Sequence, residues 1–445
     1  MTDGQTEARP ERVPYEAKRA GDIQARWAWV EPSVWTERML TALEEGVQGS
    51  KWYSLMDKVY ALTNLRMAFA RVKANQGAAG VDHQTIQGFE QHLEENLARL
   101  SQALKDGTYR PQAVRRVWID KLGSKDKRPL GIPTVVERVA QGALRHVLEP
   151  IFERDFAEQS YGFRPGRSCK DALRRVDERL KAGYVWIVDA DLKSYFDTIP
   201  WTPLIERIQG KISDGRVLDL LKAYLNTKVM DGLKDWTPEE GSPQGAMISP
   251  LLSNIYLDPL DHEMAQAGYE MVRYADDFVI LCRSQAEAEE ALEKVRQWTA
   301  SAGLTLHPVK TRIVDASQSG GFDFLGYHFE RGMKWPRKKS LDKFRDAIRV
   351  KTRRANGQSL GATIAEMNRT LIGWFGYFKH SGQDTFRIQD GWVRMRLRSI
   401  LRRRQGRTGI GHGFDHLRWP NAFFAKQGLF SLKSAHAQLC QSLTR

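Results

Sequence analysis

Two short apolar runs that flank a pair of adjacent acids form the most informative pattern along the chain. They span residues 271–282, Met-Val-Arg-Tyr-Ala-Asp-Asp-Phe-Val-Ile-Leu-Cys. β-prone runs on either side of a short break predict a hairpin that carries Asp276 and Asp277 at its tip. An isolated Asp-Asp pair would be interpreted as a solvated turn. Here the flanking runs are apolar, and adjacent carboxylates near such runs are unfavourable unless a cation relieves their repulsion and desolvation.

A second apolar strand that runs into acids lies upstream of the hairpin. Residues 184–188 predict a buried strand, which is followed by Asp189 and Asp191 and then by Phe196. Two strands that end in acids could place three carboxylates around two metal ions about 3.5–4 Å apart, an arrangement that stabilises in-line phosphoryl transfer. Mg²⁺ suits such a site because it binds carboxylate oxygens together with substrate phosphates. Asp189 alone could equally be a capping or salt-bridged residue.

The pattern elsewhere alternates between helix and strand and then becomes helical. Helices are predicted over residues 172–182 and 285–302, the second capped by Ser284, and a strand is predicted over residues 304–310. The predicted divisions are a flexible tail (1–32), N-terminal helices with mixed elements (33–165), a mixed region with the acids (166–330), a helical domain (331–408) and an aromatic-rich extension (409–445). The extension either binds nucleic acid or packs on the helical domain.

Positive charge is concentrated in the predicted helical domain. The chain of 445 residues has a net charge of +14, whereas residues 331–408 alone hold 21 Lys and Arg against 5 Asp and Glu, a net of +16. A patch of one sign favours a polyanionic partner such as nucleic acid. A solvated helical face is the alternative. The residues predicted to bind RNA are Arg394, Arg398, Arg402, Arg403 and Arg404, which interleave with apolar residues.

Cysteine usage and hydropathy exclude several classes of protein. Cys169, Cys282 and Cys440 are far apart, so they provide neither a disulfide framework nor a paired-cysteine zinc motif. No apolar stretch has the length of a membrane span, and the polar N-terminal segment is unlike a secretory signal. We expect a protein of a reducing cytoplasm with no membrane partner.

The acids Asp191, Asp276 and Asp277 resemble the catalytic set of reverse transcriptases. Further segments resemble those of bacterial group II intron reverse transcriptase–maturases, and together they cover roughly residues 50–440 in the expected order. These segments are 74–82, 127–133, 159–168, 241–257, 321–327 and 371–379. Each is weak alone, but the set is specific. Ala246 departs from the pattern, since many relatives carry Gly there.

The resemblance implies a right-hand polymerase of mixed α/β (α+β) class. Fingers and a palm with an antiparallel sheet would be followed by an all-α maturase, or thumb, domain. The implied function is RNA-directed DNA synthesis for a mobile group II intron in the bacterial cytoplasm, together with binding of the intron RNA to assist splicing. The implied partners are the intron RNA, an RNA template with a DNA primer, dNTPs and a DNA target.

The resemblance also implies cofactor and nucleotide contacts. Two Mg²⁺ ions, for which Mn²⁺ could substitute, would be held by the three acids and by the main-chain carbonyl of Leu192. Nucleotide contacts are implied for Lys121 and Arg128 at the triphosphate, Phe196 under the sugar where it excludes a 2′-hydroxyl, Gln244 against the nucleotide, and Lys310 at the pyrophosphate. The alternatives are a solvated loop for Lys121 and Arg128, a turn cap for Gln244 and a surface lysine for Lys310.

Two other functions fit parts of the sequence. A non-enzymatic splicing cofactor, as degenerate maturases are, would not need the three acids. A reverse transcriptase domesticated for defence or spacer capture would lack the maturase-type segment or carry fused modules. The C-terminal region contains neither paired cysteines nor an HNH-like acid–histidine cluster, so we expect no DNA endonuclease domain.

Overall fold

The computed structural model describes residues 27–47, 51–120, 127–353, 357–411 and 413–443. These residues form two compact units, of which the first ends at Ile313 and the second begins at Val314. The two compact units therefore divide earlier along the chain than the predicted domain boundary at residue 330. The physical reason is that the strands after Val314 pack on C-terminal helices: the ring centroids of Tyr327 and Phe378 are 5.0 Å apart.

The first unit is a mixed α/β body. Its helices are α1 (Glu37–Glu45), α2 (Met56–Tyr60), α3 (Leu62–Asn75), α4 (Ile86–Gln91), α5 (Leu93–Asp106), α6 (Val135–Glu153), α7 (Cys169–Lys181), α8 (Trp201–Gln209), α9 (Gly215–Leu225), α10 (Ser249–Gln266) and α11 (Gln285–Ser301). Its strands are β1 (Val114–Asp120), β2 (Lys127–Ile132), β3 (Trp186–Asp191), β4 (Val229–Asp231), β5 (Lys234–Trp236), β6 (Glu270–Tyr274), β7 (Asp277–Cys282) and β8 (Arg312–Asp315). The division between the two units falls inside β8.

The buried helix α6 organises the helical core of this unit. Apolar residues on it, among them Val139, Leu144 and Val147, are fully buried. It packs against α3, where the Asn64 side-chain amide donates a hydrogen bond of 3.0 Å to the carbonyl of Ala143. Burial of this helix on nearly all sides explains why its sequence is apolar around much of its circumference.

The predicted flexible tail is wrong over its last residues. Residues 1–26 lie outside the described part of the chain, but Trp27 and Val30 are buried in the core. The Trp27 indole donates a hydrogen bond of 2.6 Å to Glu44 on α1. Burial of a large aromatic residue with its N–H paired is favourable, and it holds this segment in place.

Two four-stranded sheets frame the region where the predicted site residues lie. One has the order β2-β1-β4-β5 and the other β6-β7-β3-β8. In the second, β7 pairs antiparallel with both β6 and β3. The helices predicted at 172–182 and 285–302 are present as α7 and α11, and the Ser284 hydroxyl accepts a hydrogen bond from the Glu287 N–H at 3.2 Å, as an N-cap does.

The strand predicted over residues 304–310 is wrong. Only Leu306 makes an isolated bridge, to Leu192, and residues 308–310 form a turn. Pro308 has no N–H for a strand ladder, which explains why pairing stops there. The chain joins the sheet again as β8.

The second unit combines a small sheet with helices. The strands β9 (Phe322–Phe324), β10 (Tyr327–Glu330) and β11 (Met333–Pro336) form an antiparallel sheet in the order β11-β10-β9. The helices are α12 (Lys338–Lys351), α13 (Leu360–Phe378), α14 (Gln383–Arg404), α15 (Phe414–Arg418), α16 (Asn421–Lys426) and α17 (Leu432–Leu443). The mixed fold class is as predicted. The all-α part begins at Lys338 rather than at residue 331, because β11 completes the sheet first.

The aromatic-rich extension packs into the core of the second unit. Trp419, Phe424 and Leu432 are buried in one cluster with residues of α14 such as Val393 and Leu397. Packing, one of the two predicted alternatives, therefore explains these three side chains. No helix in the described part of the chain is long and apolar enough to cross a membrane.

Candidate active site

The predicted hairpin at residues 271–282 forms from β6 and β7. Tyr274 pairs with Asp277, so Ala275 and Asp276 make the turn. Ala275 has a φ of 61°, in the left-handed region that residues with a Cβ rarely adopt. Its carbonyl accepts a hydrogen bond of 2.8 Å from the Arg273 guanidinium. This contact stabilises the turn in a conformation that the sequence alone disfavours.

The buried guanidinium of Arg273 anchors the hairpin. Its side chain is fully buried and is salt-bridged to Asp261, which is also fully buried. It also donates hydrogen bonds of 3.0 Å to the Asn254 side-chain oxygen and 2.8 Å to the Ser160 hydroxyl. A buried charge is tolerated only when it is paired and hydrogen-bonded, so these contacts fix the guanidinium and, through it, the turn.

A close backbone approach supports the same turn from another side. A Cβ atom on Gly162 would lie 2.2 Å from the backbone nitrogen of Ala275 and 2.8 Å from the carbonyl carbon of Tyr274. The carbonyl of Gly162 accepts a hydrogen bond of 2.8 Å from Asn254. Only glycine fits at this position.

The pairing of β3 with β7 brings the predicted acids together. Asp191 lies directly opposite Asp277, and Asp276 precedes Asp277 in the turn. Opposite Cα atoms in an antiparallel pair are about 4.5–5.5 Å apart, so these carboxylates share one end of the sheet. Burial raises the pKa of Asp276, and the negative charge of Asp191 raises it further, although Arg128 and Arg273 oppose the rise. The electrostatics therefore favour a cation here.

Two cationic side chains contact the acids of β3. The Lys310 ammonium lies 2.6 Å from the carboxylate of Asp191, whose side chain is 33% exposed. The Arg312 guanidinium lies 3.3 Å from Asp189. Asp189 is thus a salt-bridged residue, which was one of the two alternatives considered for it from the sequence. Lys310 reaches Asp191 although its segment is a turn, because the His307 N–H bonds the Asp191 carbonyl at 2.7 Å.

The donor set at this end of the sheet fits hard divalent cations. The carboxylates of Asp191, Asp276 and Asp277 and the main-chain carbonyl of Leu192 supply oxygen atoms, which Mg²⁺ and Mn²⁺ prefer. Among the described residues, no three His, Cys, Asp or Glu side chains are grouped as a ready-made metal site. Mg²⁺ usually completes its coordination shell with water and substrate phosphates, so a partial protein site is consistent with this ion.

The loop of residues 241–246 connects β2 with the 3₁₀ turn that follows β3. The Ser242 N–H bonds the carbonyl of Phe196 at 2.6 Å, and the Gly131 N–H bonds the carbonyl of Gln244 at 2.7 Å. At Gly245, where φ is 109°, a Cβ atom would lie 2.3 Å from the Gly131 oxygen. Ala246 is accommodated as a buried residue of the same loop.

Two of the predicted nucleotide contacts meet at this loop. The Arg128 guanidinium donates a hydrogen bond of 2.8 Å to the side-chain oxygen of Gln244. Phe196 lies in a 3₁₀ turn, Tyr195–Asp197, with 7% of its surface exposed and its ring centroid 5.5 Å from that of Tyr195. Lys121 lies outside the described residues.

The five arginines that were predicted to bind RNA differ in their burial and in their partners. Arg398 is buried: it donates a hydrogen bond of 3.0 Å to the carbonyl of Trp419 and lies over the ring of Phe424, so the prediction is wrong for this residue. Arg402 is mostly buried and pairs with buried Asp415, which assigns it a structural role. Arg394 is 20% exposed and lies 3.7 Å from Asp390. Of the five, only Arg403 and Arg404 are exposed, and the Arg404 guanidinium donates a hydrogen bond to the carbonyl of Gln358.

Sequence reasoning missed three residues that support the hairpin, namely Arg273, Asp261 and Asn254. One signal was available. Arg273 interrupts an otherwise apolar strand, and a charge at such a position indicates a buried partner. Asp261 and Asn254 lie on α10, and nothing in the sequence relates that helix to β6.

Comparison with known proteins agrees with this geometry. Residues 119–329 match the reverse transcriptase (RNA-dependent DNA polymerase) family, and residues 341–417 match the group II intron, maturase-specific domain. Protein YkfC of Escherichia coli (strain K12) is 32% identical over 346 residues, which cover 69% of this chain and 86% of YkfC. The chain belongs to the group II intron reverse transcriptase–maturase family. The predicted family is confirmed, and reverse transcriptases as a family are polymerases that depend on divalent metal ions.

Other similarities cover less of the proteins concerned. Group II intron-encoded protein LtrA of Lactococcus lactis subsp. cremoris is 41% identical over 202 residues, which are 45% of this chain and 33% of LtrA. The chain thus spans about a third of LtrA. A solved structure, the partial Cas6-RT-Cas1–Cas2 complex, aligns over 56% of this chain and 41% of that chain at 24% identity, with a TM-score of 0.36, which is too low to bear on function.

Replacing Gly162 by Ala tests the close approach to the turn. The added methyl group would collide with backbone atoms of Tyr274 and Ala275, and overpacking of this kind typically costs about 1–3 kcal/mol. We expect a lower urea midpoint for Gly162→Ala. The matched control is Gly215→Ala at the start of α9, where a Cβ meets nothing within 4 Å. There the change should be neutral or slightly stabilising. Equal midpoints for the two variants would contradict the contact.

Proposed function

We propose that this protein is an RNA-directed DNA polymerase of a mobile group II intron that also binds the intron RNA to assist splicing. The observation that carries the proposal is the pairing of Asp191 with Asp277 across β3 and β7, with Asp276 in the adjoining turn. Three oxygen-donor side chains at the end of a sheet, beside a loop rich in close backbone contacts, suit nucleotidyl transfer better than a structural role.

The proposal includes two divalent metal ions at the acids. Asp191, Asp276, Asp277 and the carbonyl of Leu192 would hold two Mg²⁺ ions, or Mn²⁺ in their place. When bound, such ions lower the pKa of an attacking hydroxyl and stabilise the charge on a transferring phosphoryl group and its leaving group. In this proposal Lys310, whose ammonium is 2.6 Å from Asp191, neutralises charge on the departing pyrophosphate.

The residues around the loop of 241–246 orient the incoming dNTP. The guanidinium of Arg128 is held by Gln244 and is exposed, so its remaining N–H donors are available to a triphosphate. Lys121 is proposed to share this task. Phe196, fixed by its packing on Tyr195 and by the hydrogen bond to Ser242, forms the floor under the sugar and excludes a 2′-hydroxyl.

In this proposal the second unit binds the RNA. Its excess of positive charge suits the backbone of the intron RNA and of an RNA template paired with a DNA primer, and of a DNA target during retromobility. Arg403 and Arg404 are its exposed cations at the end of α14, and Arg394 contributes from a half-buried position. Binding to the folded intron RNA stabilises that fold by mass action, which is how the protein assists splicing.

Primer extension by the purified protein tests the polymerase directly. With an RNA template, a DNA primer and dNTPs, we expect extension with Mg²⁺ and none with EDTA. Replacing Asp276 and Asp277 by Ala should abolish extension while RNA binding is unchanged, since removing like charges rarely destabilises a fold but removes the metal ligands. The control is Asp219→Ala on α9, an acid with 78% of its side chain exposed. Undiminished DNA synthesis by the double variant would refute the proposal.

Replacing Phe196 by Val tests the role of the aromatic ring. A smaller side chain opens space for a 2′-hydroxyl, so incorporation of ribonucleotides relative to deoxyribonucleotides should rise. Pocket contacts of this size are worth roughly 10- to 200-fold in discrimination. Single-nucleotide incorporation kinetics measure the ratio, and Phe196→Tyr, which keeps the ring, is the control. An unchanged ratio for the Val variant would make Phe196 an ordinary core residue.

The salt dependence of RNA binding tests the second unit. Neutralising Arg403 and Arg404 by Gln should weaken binding and lower the slope of log affinity against log salt by roughly 0.7–0.9 for each lost phosphate contact. The matched control neutralises Arg99 and Lys105, two exposed cations of α5. Arg402→Gln should instead lower stability, because it leaves Asp415 buried without this partner. Equal slopes for the Arg403/Arg404 variant and the wild type would show that these arginines are only solvated.

A further inference from the structure

A small cavity borders the loop of residues 241–246. Residues of this loop, among them Ser242 and Ala246, form one of its walls. Glu137 and Gln141, which lie one helical turn apart on the same face of α6, form another wall. The rest of the lining comes from the segment around the start of β1, from the end of α9 and from the start of α10. The loop therefore faces α6 across this cavity.

Hydrogen bonds around the cavity hold the loop in place. The side-chain oxygen of Gln141, a residue that is 3% exposed, accepts a hydrogen bond of 2.9 Å from the N–H of Met247, directly after the loop. The Ser242 hydroxyl donates a hydrogen bond of 2.6 Å to the Ser249 hydroxyl at the start of α10. These bonds fix the loop that carries Gln244, which the proposed function places against the incoming nucleotide.

The carboxyl group of Glu137 is buried at the cavity and is only half paired. Glu137 is 2% exposed. Its Oε1 atom accepts hydrogen bonds of 3.2 Å from the Tyr109 hydroxyl and from the Gln112 N–H. Its Oε2 atom has no hydrogen-bond partner among the described residues. Buried polar atoms without a partner are rare in native proteins and cost free energy, so this one requires an explanation.

The surroundings of this carboxyl bring its ionisation close to neutral pH. Burial raises the pKa of Glu137 to about 7, although the hydrogen bonds from Gln112 and Tyr109 lower it, and the negative charge of Asp82 raises it further. Burial also raises the pKa of the facing phenols, Tyr109 and Tyr224, so both stay neutral. Among the described residues, the cavity lining contains no Lys, Arg or His. No cation of the lining therefore compensates when Glu137 ionises.

We infer that Glu137 is a positioning residue for the incoming nucleotide: its neutral carboxyl keeps the loop of residues 241–246 in the nucleotide-binding position, and its ionisation releases the loop. A buried carboxylate requires hydration or further hydrogen bonds. The cavity is small, so water that reaches the carboxylate must displace one of its walls. Because α6 and α10 are buried in the core whereas Gly245 is exposed, the loop is the wall that moves.

The direction of the pH dependence follows from which form is neutral. Glu137 is protonated below its pKa, so nucleotide affinity is highest at low pH and falls as the pH rises through about 7. This inference rests on the proposed polymerase function for the identity of the ligand, a dNTP. The response of the loop to Glu137 does not depend on that function.

Equilibrium binding of a non-hydrolysable dNTP analogue tests the inference. The analogue is titrated into the full chain with primer–template and Mg²⁺ at about pH 6 and about pH 8, one unit on either side of the pKa. The wild-type dissociation constant should rise roughly tenfold, because only the fraction of protein with a neutral Glu137 binds. Glu137→Gln, which keeps the shape of the neutral carboxyl, should lose this change and bind at the higher pH as tightly as at the lower.

A matched control accounts for other titrations in the assay. Glu206→Gln on α8 makes the same chemical change at an exposed position and should keep the wild-type pH dependence. Ionisation of the analogue itself affects all variants equally. The difference between Glu137→Gln and the wild type therefore reports Glu137 alone.

Two variants that move the midpoint in opposite directions separate titration from a general loss of folding. Tyr109→Phe removes a hydrogen bond that lowers the pKa of Glu137, so the midpoint of the affinity change should move to higher pH. Asp82→Asn removes a negative charge that raises this pKa, so the midpoint should move to lower pH. A merely structural role for these residues would alter affinity at every pH and leave the midpoint in place.

The loop can also be followed without nucleotide, metal or catalysis. The Trp201 indole N–H donates a hydrogen bond of 2.6 Å to the carbonyl of Gly241, at the start of the loop. In the full chain labelled with 5-fluorotryptophan, the ¹⁹F resonance of Trp201 is assigned by comparison with Trp201→Phe. It should titrate with a midpoint near pH 7 in the wild type and stay constant in Glu137→Gln.

The outcomes distinguish failure of this inference from failure of the polymerase proposal. If the affinity change persists in Glu137→Gln, or if Tyr109→Phe and Asp82→Asn both keep the wild-type midpoint, the inference is overturned whatever primer extension shows. A Trp201 resonance that does not titrate in the wild type also overturns it. If that resonance titrates as expected but no variant binds the analogue at any pH, the polymerase proposal fails and the coupling of Glu137 to the loop stands.

Discussion

The structure around the acids depends on one buried ion pair, that between Arg273 and Asp261. Asp191, Asp276 and Asp277 repel one another, and their approach is unfavourable without a cation. The hairpin that carries two of them nevertheless holds an alanine at a positive φ, because the Arg273 guanidinium binds the Ala275 carbonyl while Asp261, Asn254 and Ser160 hold the guanidinium. The fully paired internal charge thus holds an arrangement of mutually repelling carboxylates in place, as the proposed metal site requires.

Close backbone contacts also fix the loop of residues 241–246. Glycines at 162 and 245 allow segments to approach the hairpin and β2 more closely than any side chain would permit. The loop of residues 241–246 then connects Phe196, Gly131 and Arg128 through hydrogen bonds. As a result, residues of β2 and of the 3₁₀ turn after β3, which are distant in sequence, meet at one loop. Positioning and charge neutralisation are what phosphoryl transfer requires of a protein, and both follow from these contacts.

Much of this could be predicted from the sequence, and the exceptions have physical reasons. Apolar runs that end in acids predicted the hairpin and the strand of Asp191, because strand patterns and turns are local. The burial of Arg398 and Arg402 could not be predicted, since charged residues are rarely buried and their partners Trp419 and Asp415 come from a later segment. The contact of Lys310 with Asp191 likewise could not be predicted from the sequence, because it depends on a turn at Pro308 where the pattern favoured a strand.

Direct binding of Mn²⁺ would test most sharply whether Asp191 and Asp277 form a metal site. Electron paramagnetic resonance titration, with primer–template and a non-hydrolysable dNTP analogue present, should detect bound Mn²⁺ in the wild type. Asp191→Asn and Asp277→Asn should each lose it. Asp189→Asn, two residues away on the same strand and opposite Val279 rather than an acid, should retain it. Equal Mn²⁺ binding by the Asp191 variant and the wild type would contradict the assignment of the site.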